Sequence, residues 1–136
     1  MTELPLTGGC GCGAVRFEVS APLEDASYCH CTRCQRRSGT AASAQARVAP
    51  GALRMVSGAE RIRYWAPPGG FEKGFCGECG SHLGSRPPGT GELTSLRLGA
   101  FDGDPGVRPS YRHHVATAVA WEPIPDDGLP RHDDAP

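Results

Sequence analysis

The 136-residue sequence predicts an all-β fold made of short antiparallel sheets, on two grounds. Apolar and polar residues alternate in several short runs, which is the period of a half-buried strand. Nineteen glycines and thirteen prolines interrupt the chain too often for long helices. No linker divides the chain and nothing repeats except clusters of cysteine. One domain is therefore expected over residues 1–136, with its core at about 7–124 and a proline-rich acidic tail over 125–136, loose or draped on the surface. A chain of this length buries roughly 68% of its unfolded surface, enough for one core.

The first element is "GAVRFEVS", in which Val15, Phe17 and Val19 share one face and Arg16 and Glu18 the other. A second strand carries "ASYCHC" into a cysteine triplet, and the polar "TRCQRRSG" is a short helical turn closed by Gly39. "GTAASAQARV" is short and bounded by Gly39 and Pro50, which favours a strand despite its alanines. "ERIRYWA" is a strand, the loop "PPGG" follows, and "FEKGF" leads into a second cysteine pair. "LTSLRLGAF" is expected as a strand with Leu96, Leu98 and Ala100 inward, and "HHVATAVAWEPI" as the last strand.

The net charge of −1 and a pI of about 6.5 give no electrostatic footprint for nucleic acid or an anionic membrane. "MTELPLTGG" lacks a basic or apolar leader, and no apolar run approaches the roughly 20 residues of a membrane helix. A cytoplasmic location is expected.

Seven cysteines cannot all pair internally, and a reducing compartment keeps thiols free, so metal ligation is the stronger account of them. They fall into "CGC" at Cys10 and Cys12, "CHCTRC" at Cys29, Cys31 and Cys34, and "CGEC" at Cys76 and Cys79. The last has the spacing of a zinc knuckle, in which Gly77 and Gly80 supply unusual backbone angles. Cys10 and Cys12 lie on one side of an extended chain that Gly11 and Gly13 allow to curl. The two pairs together make a closed Cys₄ site that ties the first strand to the middle of the fold. Zinc binding energies of about 10–16 kcal/mol in small zinc domains exceed the stability of a typical domain, so such a site decides whether the chain folds.

Cys29, Cys31 and Cys34 are left without a fourth sulfur. His30 alternates with its neighbours and points to the opposite face. His82 is better placed for packing, and either His113 or His114 could reach the site. The other reading leaves the fourth position open, as in catalytic zinc centres, where a bound water or thiol loses its proton near neutral pH. Two occupied sites would move the formal charge from −1 to about −4. Arg33, Arg36 and Arg37 crowd the triplet and could offset its thiolates or attract an anionic substrate.

At these residues the chain resembles the glutathione-dependent formaldehyde-activating enzyme family, which also includes centromere protein V. The resemblance runs from about Thr7 to Ile124 and rests on "GGCGCGAVRFEV", "YCHCTRCQRRSGT", "FCGECGSHL", "LRLGAFDGD" and "HHVATAVAWEPI". It implies a β-tent fold stapled by two zincs, one structural on Cys10, Cys12, Cys76 and Cys79 and one catalytic on Cys29, Cys31 and Cys34. It also implies carbon–sulfur lyase chemistry, that of an S-(hydroxymethyl)glutathione synthase, with formaldehyde and a small thiol such as glutathione as substrates. Phe101 stands where the family more often has leucine, a packing change. The alternative is a non-catalytic zinc module that binds a protein or nucleic acid partner, and the missing basic excess counts against nucleic acid.

Overall fold

The computed structural model describes residues 2–89 and 91–136; Met1, part of the opening stretch, and Thr90 lie outside the described residues although both fall in the span assigned to the domain. In chain order the strands are β1 (Leu6–Gly9), β2 (Arg16–Val19), β3 (Glu24–Cys29), β4 (Ser43–Arg47), β5 (Leu53–Ser57), β6 (Ile62–Trp65), β7 (Glu72–Cys76), β8 (His82–Arg86), β9 (Ser95–Arg97) and β10 (Arg112–His113). Helix α1 (Thr32–Ser38) separates β3 from β4. The all-β expectation holds. Among the described residues, none of the helices is long and apolar enough to cross a membrane.

Two sheets form, one of three strands in the order β1-β2-β5 and one of seven in the order β10-β3-β4-β9-β8-β7-β6. Among the described residues every pairing between these strands is antiparallel except β10 with β3, which runs parallel and sets His113 opposite Cys29. The core lies where the alternation of β2 predicts: Val15, Phe17 and Val19 are almost completely buried. They belong to one cluster with Ala26, Ala46, Leu83 and Leu96 of the larger sheet. Phe101 meets Phe17 edge-on at 5.4 Å, so its larger ring is indeed a packing feature.

Four strands, β1, β5, β7 and β8, are not read from the sequence pattern and are visible only in the structure. In β8, Gly84 lies so close to β9 that a Cβ atom there would sit 2.0 Å from the Ser95 carbonyl oxygen. The close approach replaces side-chain packing, so no apolar period marks the strand.

Two expected strands are shorter than their patterns. "LTSLRLGAF" is a strand only to Arg97 and continues as a 3₁₀ turn over Leu98–Ala100. Leu96 is buried, whereas Leu98 and Ala100 only pack partly against the core. The chain must leave the larger sheet here because Phe101 bridges Gly8 and the Asp102 N–H donates to the Thr7 carbonyl on the smaller one. The Asp102 carboxylate also accepts from Thr7 and Arg16, fastening β1 and β2 together.

Of "HHVATAVAWEPI" only His113 lies in a strand, paired in β10 together with the preceding Arg112, after which His114 takes φ 56° and Val115–Thr117 form a 3₁₀ turn. The tail has taken the strand's outer edge. The N–H groups of Arg112, His114 and Val115 donate to the carbonyls of Pro130, Asp134 and His132, and the Arg112 carbonyl accepts from His132. The tail is thus draped along β10. Its anchor is Asp127, 2.8 Å from the buried Arg112 guanidinium, which also stacks over the Tyr28 ring at 4.3 Å.

Phe17→Ala should lower the unfolding free energy by about 3–5 kcal/mol, the usual cost of emptying an aromatic core site. Phe101→Leu should cost under about 1.5 kcal/mol, because volume is nearly kept; urea melts of both variants check the order. Asp127→Ala should lower the melting temperature by unpairing Arg112. Arg112 holds the Asp127 carboxyl below the usual carboxylate range. That contribution is therefore present above about pH 4 and lost as the pH falls through the folded value. Equal melting temperatures at pH 7 would mean that the tail adds nothing to the sheet.

Candidate metal centres

The strand ends bring the cysteines into two groups. Cys10 follows β1 and Cys76 closes β7, and both are buried in the core; Cys12 and Cys79 stand on the exposed turns beyond them. The four sulfurs lie within 4.8 Å of one another. Cys10 and Cys12 sulfurs are 3.6 Å apart and those of Cys12 and Cys76 3.9 Å. Four thiolates around a tetrahedral zinc, each at about 2.3 Å, would stand about 3.8 Å apart. The residues present fit a zinc ion.

Local backbone chemistry agrees with that fit. The N–H groups of Val15 and Glu78 point at the Cys10 and Cys76 sulfurs at 3.2 and 3.4 Å. The second knuckle closes through Gly80, whose N–H donates to the Cys76 carbonyl with φ at 80°. Gly77, expected to share that role, has no positive φ; a Cβ there would instead lie 2.9 Å from the Arg61 carbonyl oxygen. Ser81 joins the two turns, a role no sequence signal carries. Its hydroxyl accepts from the Gly11 N–H at 2.9 Å and stands 3.2 Å from the Cys79 sulfur. Hydrogen bonds from the Ser81 side chain and N–H bring the Cys79 thiol down to about 5.

The second group forms where β3 runs into α1. Cys29 is the last residue of β3, Cys31 caps the helix by accepting the Cys34 N–H at 3.2 Å, and Cys34 sits in its first turn. Gly39 ends the helix with φ 68°. These three sulfurs also lie within 4.8 Å of one another, and among the described residues no fourth ligand atom joins all three. Hydrogen bonds from Cys29 and Cys31 pull the Cys34 thiol far below its usual value, and the nearby Arg97 charge adds to this. The same sulfur contacts, with burial, hold Cys29 far above its own. Three thiols this close cannot all ionise without a cation between them, which is the chemistry of a metal site.

His30 points away from the triplet, as its alternation predicts. It is buried, with Nε2 3.2 Å from the Arg112 guanidinium, so it braces the ligand loop from behind. Gln35 ties the helix to the same region by donating to the carbonyls of His30 and Thr117, both at 2.8 Å. His82 joins neither group of sulfurs. His113 and His114 both approach the triplet: each offers a ring nitrogen within 4.8 Å of the Cys29 sulfur. His114 reaches it through its left-handed backbone, which breaks the one-in, one-out rule of a strand. The Nε2 of His113 is 3.4 Å from the Ser27 hydroxyl and 3.5 Å from the Gln45 amide nitrogen, while its buried Nδ1 has no hydrogen-bond partner among the described residues. Burial, and then the neighbouring His114, lower the His113 pKa and favour the neutral ring.

A cavity of about 540 Å³ opens over the triplet, with Cys29, Cys31 and Cys34 in its wall. That is within the usual range for a small-molecule site. Arg33 lines it, whereas Arg37 turns toward Trp65, 6.0 Å from the ring centre. Arg97 and Lys73 also line it, and sequence reading missed both. The signal for Arg97 was available: the alternation that buries Leu96 turns Arg97 to the opposite face, toward the triplet. Burial lowers the Arg97 pKa while the Cys34, Cys29 and Cys31 thiolates raise it; Lys73 is lowered by burial and by Arg97.

Residues 5–117 match the family model described as glutathione-dependent formaldehyde-activating enzyme. A Halomonas elongata protein named "Putative glutathione-dependent formaldehyde-activating enzyme" is 34% identical over 116 residues, covering 81% of this chain and 73% of that protein. A crystal structure of a Rhodobacter sphaeroides protein superposes with a TM-score of 0.54 at 32% identity, covering 76% of this chain and 91% of that one. The family match takes in all seven cysteines and the walls of the cavity. This chain belongs to the glutathione-dependent formaldehyde-activating enzyme family.

Proposed function

We propose that the chain is a zinc-dependent carbon–sulfur lyase acting on formaldehyde and glutathione, or on a closely related thiol adduct. Residues 1–136 would work as one domain with two zincs, a structural one on Cys10, Cys12, Cys76 and Cys79 and a catalytic one on Cys29, Cys31 and Cys34. The observation that carries this reading is the three-sulfur group with no fourth ligand atom common to all three, set in the wall of a cavity of about 540 Å³. A non-catalytic module would have no use for that access.

Zinc bound at the triplet would lower the pKa of a thiol entering its open position. The residues around it then have separable tasks. Cys29, Cys31 and Cys34 would hold the metal, with His30 and Arg112 fixing the loop from behind. In the reaction the thiolate sulfur bonds to the carbonyl carbon, the C=O π pair moves to oxygen, and that oxygen takes a proton; cleavage of the adduct is the reverse. Ser27, Gln45 and His113 present polar atoms in the cavity close to Cys29 and can hydrogen-bond that oxygen. Orientation of the two reactants inside the cavity supplies the remaining advantage over the spontaneous addition.

Exchange NMR of formaldehyde with glutathione tests the activity. The exchange rate should rise in proportion to protein and return to the buffer value with Cys31→Ser. A wild-type rate equal to buffer would overturn the lyase reading.

Metal analysis should give two zincs per chain, with the three-sulfur site losing metal first to a chelator because it has fewer protein ligands. Recovery of one zinc from metal-replete protein would remove one of the two sites. Cys79→Ser should leave the chain largely unfolded, whereas Cys31→Ser should stay folded with one zinc. Circular dichroism with metal analysis distinguishes them, and the opposite pattern would exchange the roles of the two sites.

A further inference from the structure

The cavity over the triplet is unusual in its charge. Arg33, Arg47, Lys73 and Arg97 line it, and Asp25 is its one carboxylate among the described residues. Asp25 is already paired with Arg47 at 3.3 Å. Arg33, Lys73 and Arg97 have no carboxylate partner among the described residues. Arg97 donates only to the Gln45 side-chain oxygen at 2.8 Å, and the Lys73 ammonium sits 5.8 Å from the Phe71 ring centre. Several arginines elsewhere in this chain do find carboxylates, as Arg86 does with Glu72 and Arg54 with Glu18.

Charge counting shows what is missing. Three thiolates on a divalent zinc leave one negative charge. Three unpaired cations around it leave the cavity positive. Arg33 is exposed, but Lys73 and Arg97 are half-buried, and half-buried cations are costly without a counter-charge.

We propose that Arg97 and Lys73 form an anion-reading subsite that selects thiols carrying a carboxylate on their non-reacting end and disfavours cationic ones. The subsite rests on the open thiol-binding position proposed above and adds a specificity to it. The sulfur would be taken by the metal, and the carboxylate by the guanidinium and ammonium beside it. Glutathione, with two carboxylates and one ammonium, falls in the favoured class, but so does any small acidic thiol. Arg97 is the more selective of the two, because its planar fork, already fixed on one side by Gln45, matches a carboxylate.

The test uses the folded protein with cobalt in place of zinc and three thiols of similar size: 3-mercaptopropionate, 2-mercaptoethanol and cysteamine. Sulfur-to-cobalt absorption reports each thiol entering the metal's shell. Because the thiols differ in basicity, the quantity read is the change in their affinity ratio on substitution, in which basicity cancels. Arg97→Gln should lower the 3-mercaptopropionate to cysteamine ratio by about tenfold, the effect of losing one charge-assisted hydrogen bond. Lys73→Gln should lower it in the same direction, and the affinity for neutral 2-mercaptoethanol should change by less than about twofold in either variant. If Arg97→Gln does not fold, Lys73→Gln carries the test alone. An unchanged ratio in the folded variants, with all three thiols still binding, would overturn the subsite and leave the open position standing. A cobalt spectrum indifferent to all three would overturn the open position and the subsite together.

Discussion

The convergence of Cys10, Cys12, Cys76 and Cys79 is the constraint on which the rest of this structure leans. Cys10 extends the first strand of the smaller sheet, and Cys76 ends a strand of the larger one, so the four sulfurs close the two sheets at one point. The core between those sheets is modest. Its largest fully buried side chains are Phe17, Leu83 and Leu96, and several of its other members are alanines. Strands of two to six residues give little cooperative support of their own. A metal held by these sulfurs would crosslink segments 64 residues apart and remove loop entropy that so small a core would otherwise have to overcome. Ser81 adds a neutral link across the same joint, since it accepts from one turn and faces the sulfur of the other.

The second group of sulfurs depends on a different device, the parallel pairing of β10 with β3. That pairing sets His113 beside Cys29, and the tail then caps the outer edge of β10. The layer behind the ligand loop is polar: His30 faces Arg112, Arg112 faces Asp127, and the ring of Tyr28 lies under the guanidinium. Buried polar groups of this sort hold geometry when every member is satisfied. Here each partner comes from a distant part of the chain, so the loop's position depends on the tail being in place. Stability at the end of the sequence and placement of the triplet are therefore coupled.

Charge organises the open side of the triplet as hydrogen bonding organises its back. The cations on α1, β7 and β9 approach the thiolates from three elements, yet outnumber the one negative charge that a zinc-bound triplet would carry. This imbalance separates the two centres chemically. Four sulfurs would close a tetrahedral metal by themselves, whereas the three-sulfur group would leave a metal short of one ligand in a cavity short of negative charge. A thiolate bearing a carboxylate would supply both.

The sequence by itself determined what depends on short spacing. Cysteines two or three positions apart stay close in space, so the three clusters were legible in "CGC", "CHCTRC" and "CGEC", and the folding of distant segments then joined the first to the third. Strict alternation made Val15, Phe17 and Val19 a core face, and Gly39 marked the end of α1. The tertiary structure decided what depends on distant partners. β8 is a strand because its backbone lies against β9, which leaves no apolar period to read. "HHVATAVAWEPI" continues to look like a strand past His113, but the tail takes the edge N–H groups and the backbone turns at His114. Lys73 carries no local mark of a site, since a lone cation on a strand is ordinarily a solvated one, and for Arg97 the alternation with Leu96 gives its face but not its neighbours. Only the folding of β7 and β9 beside α1 puts them over the thiols, because electrostatic neighbours are set by distance in space and not by distance along the chain.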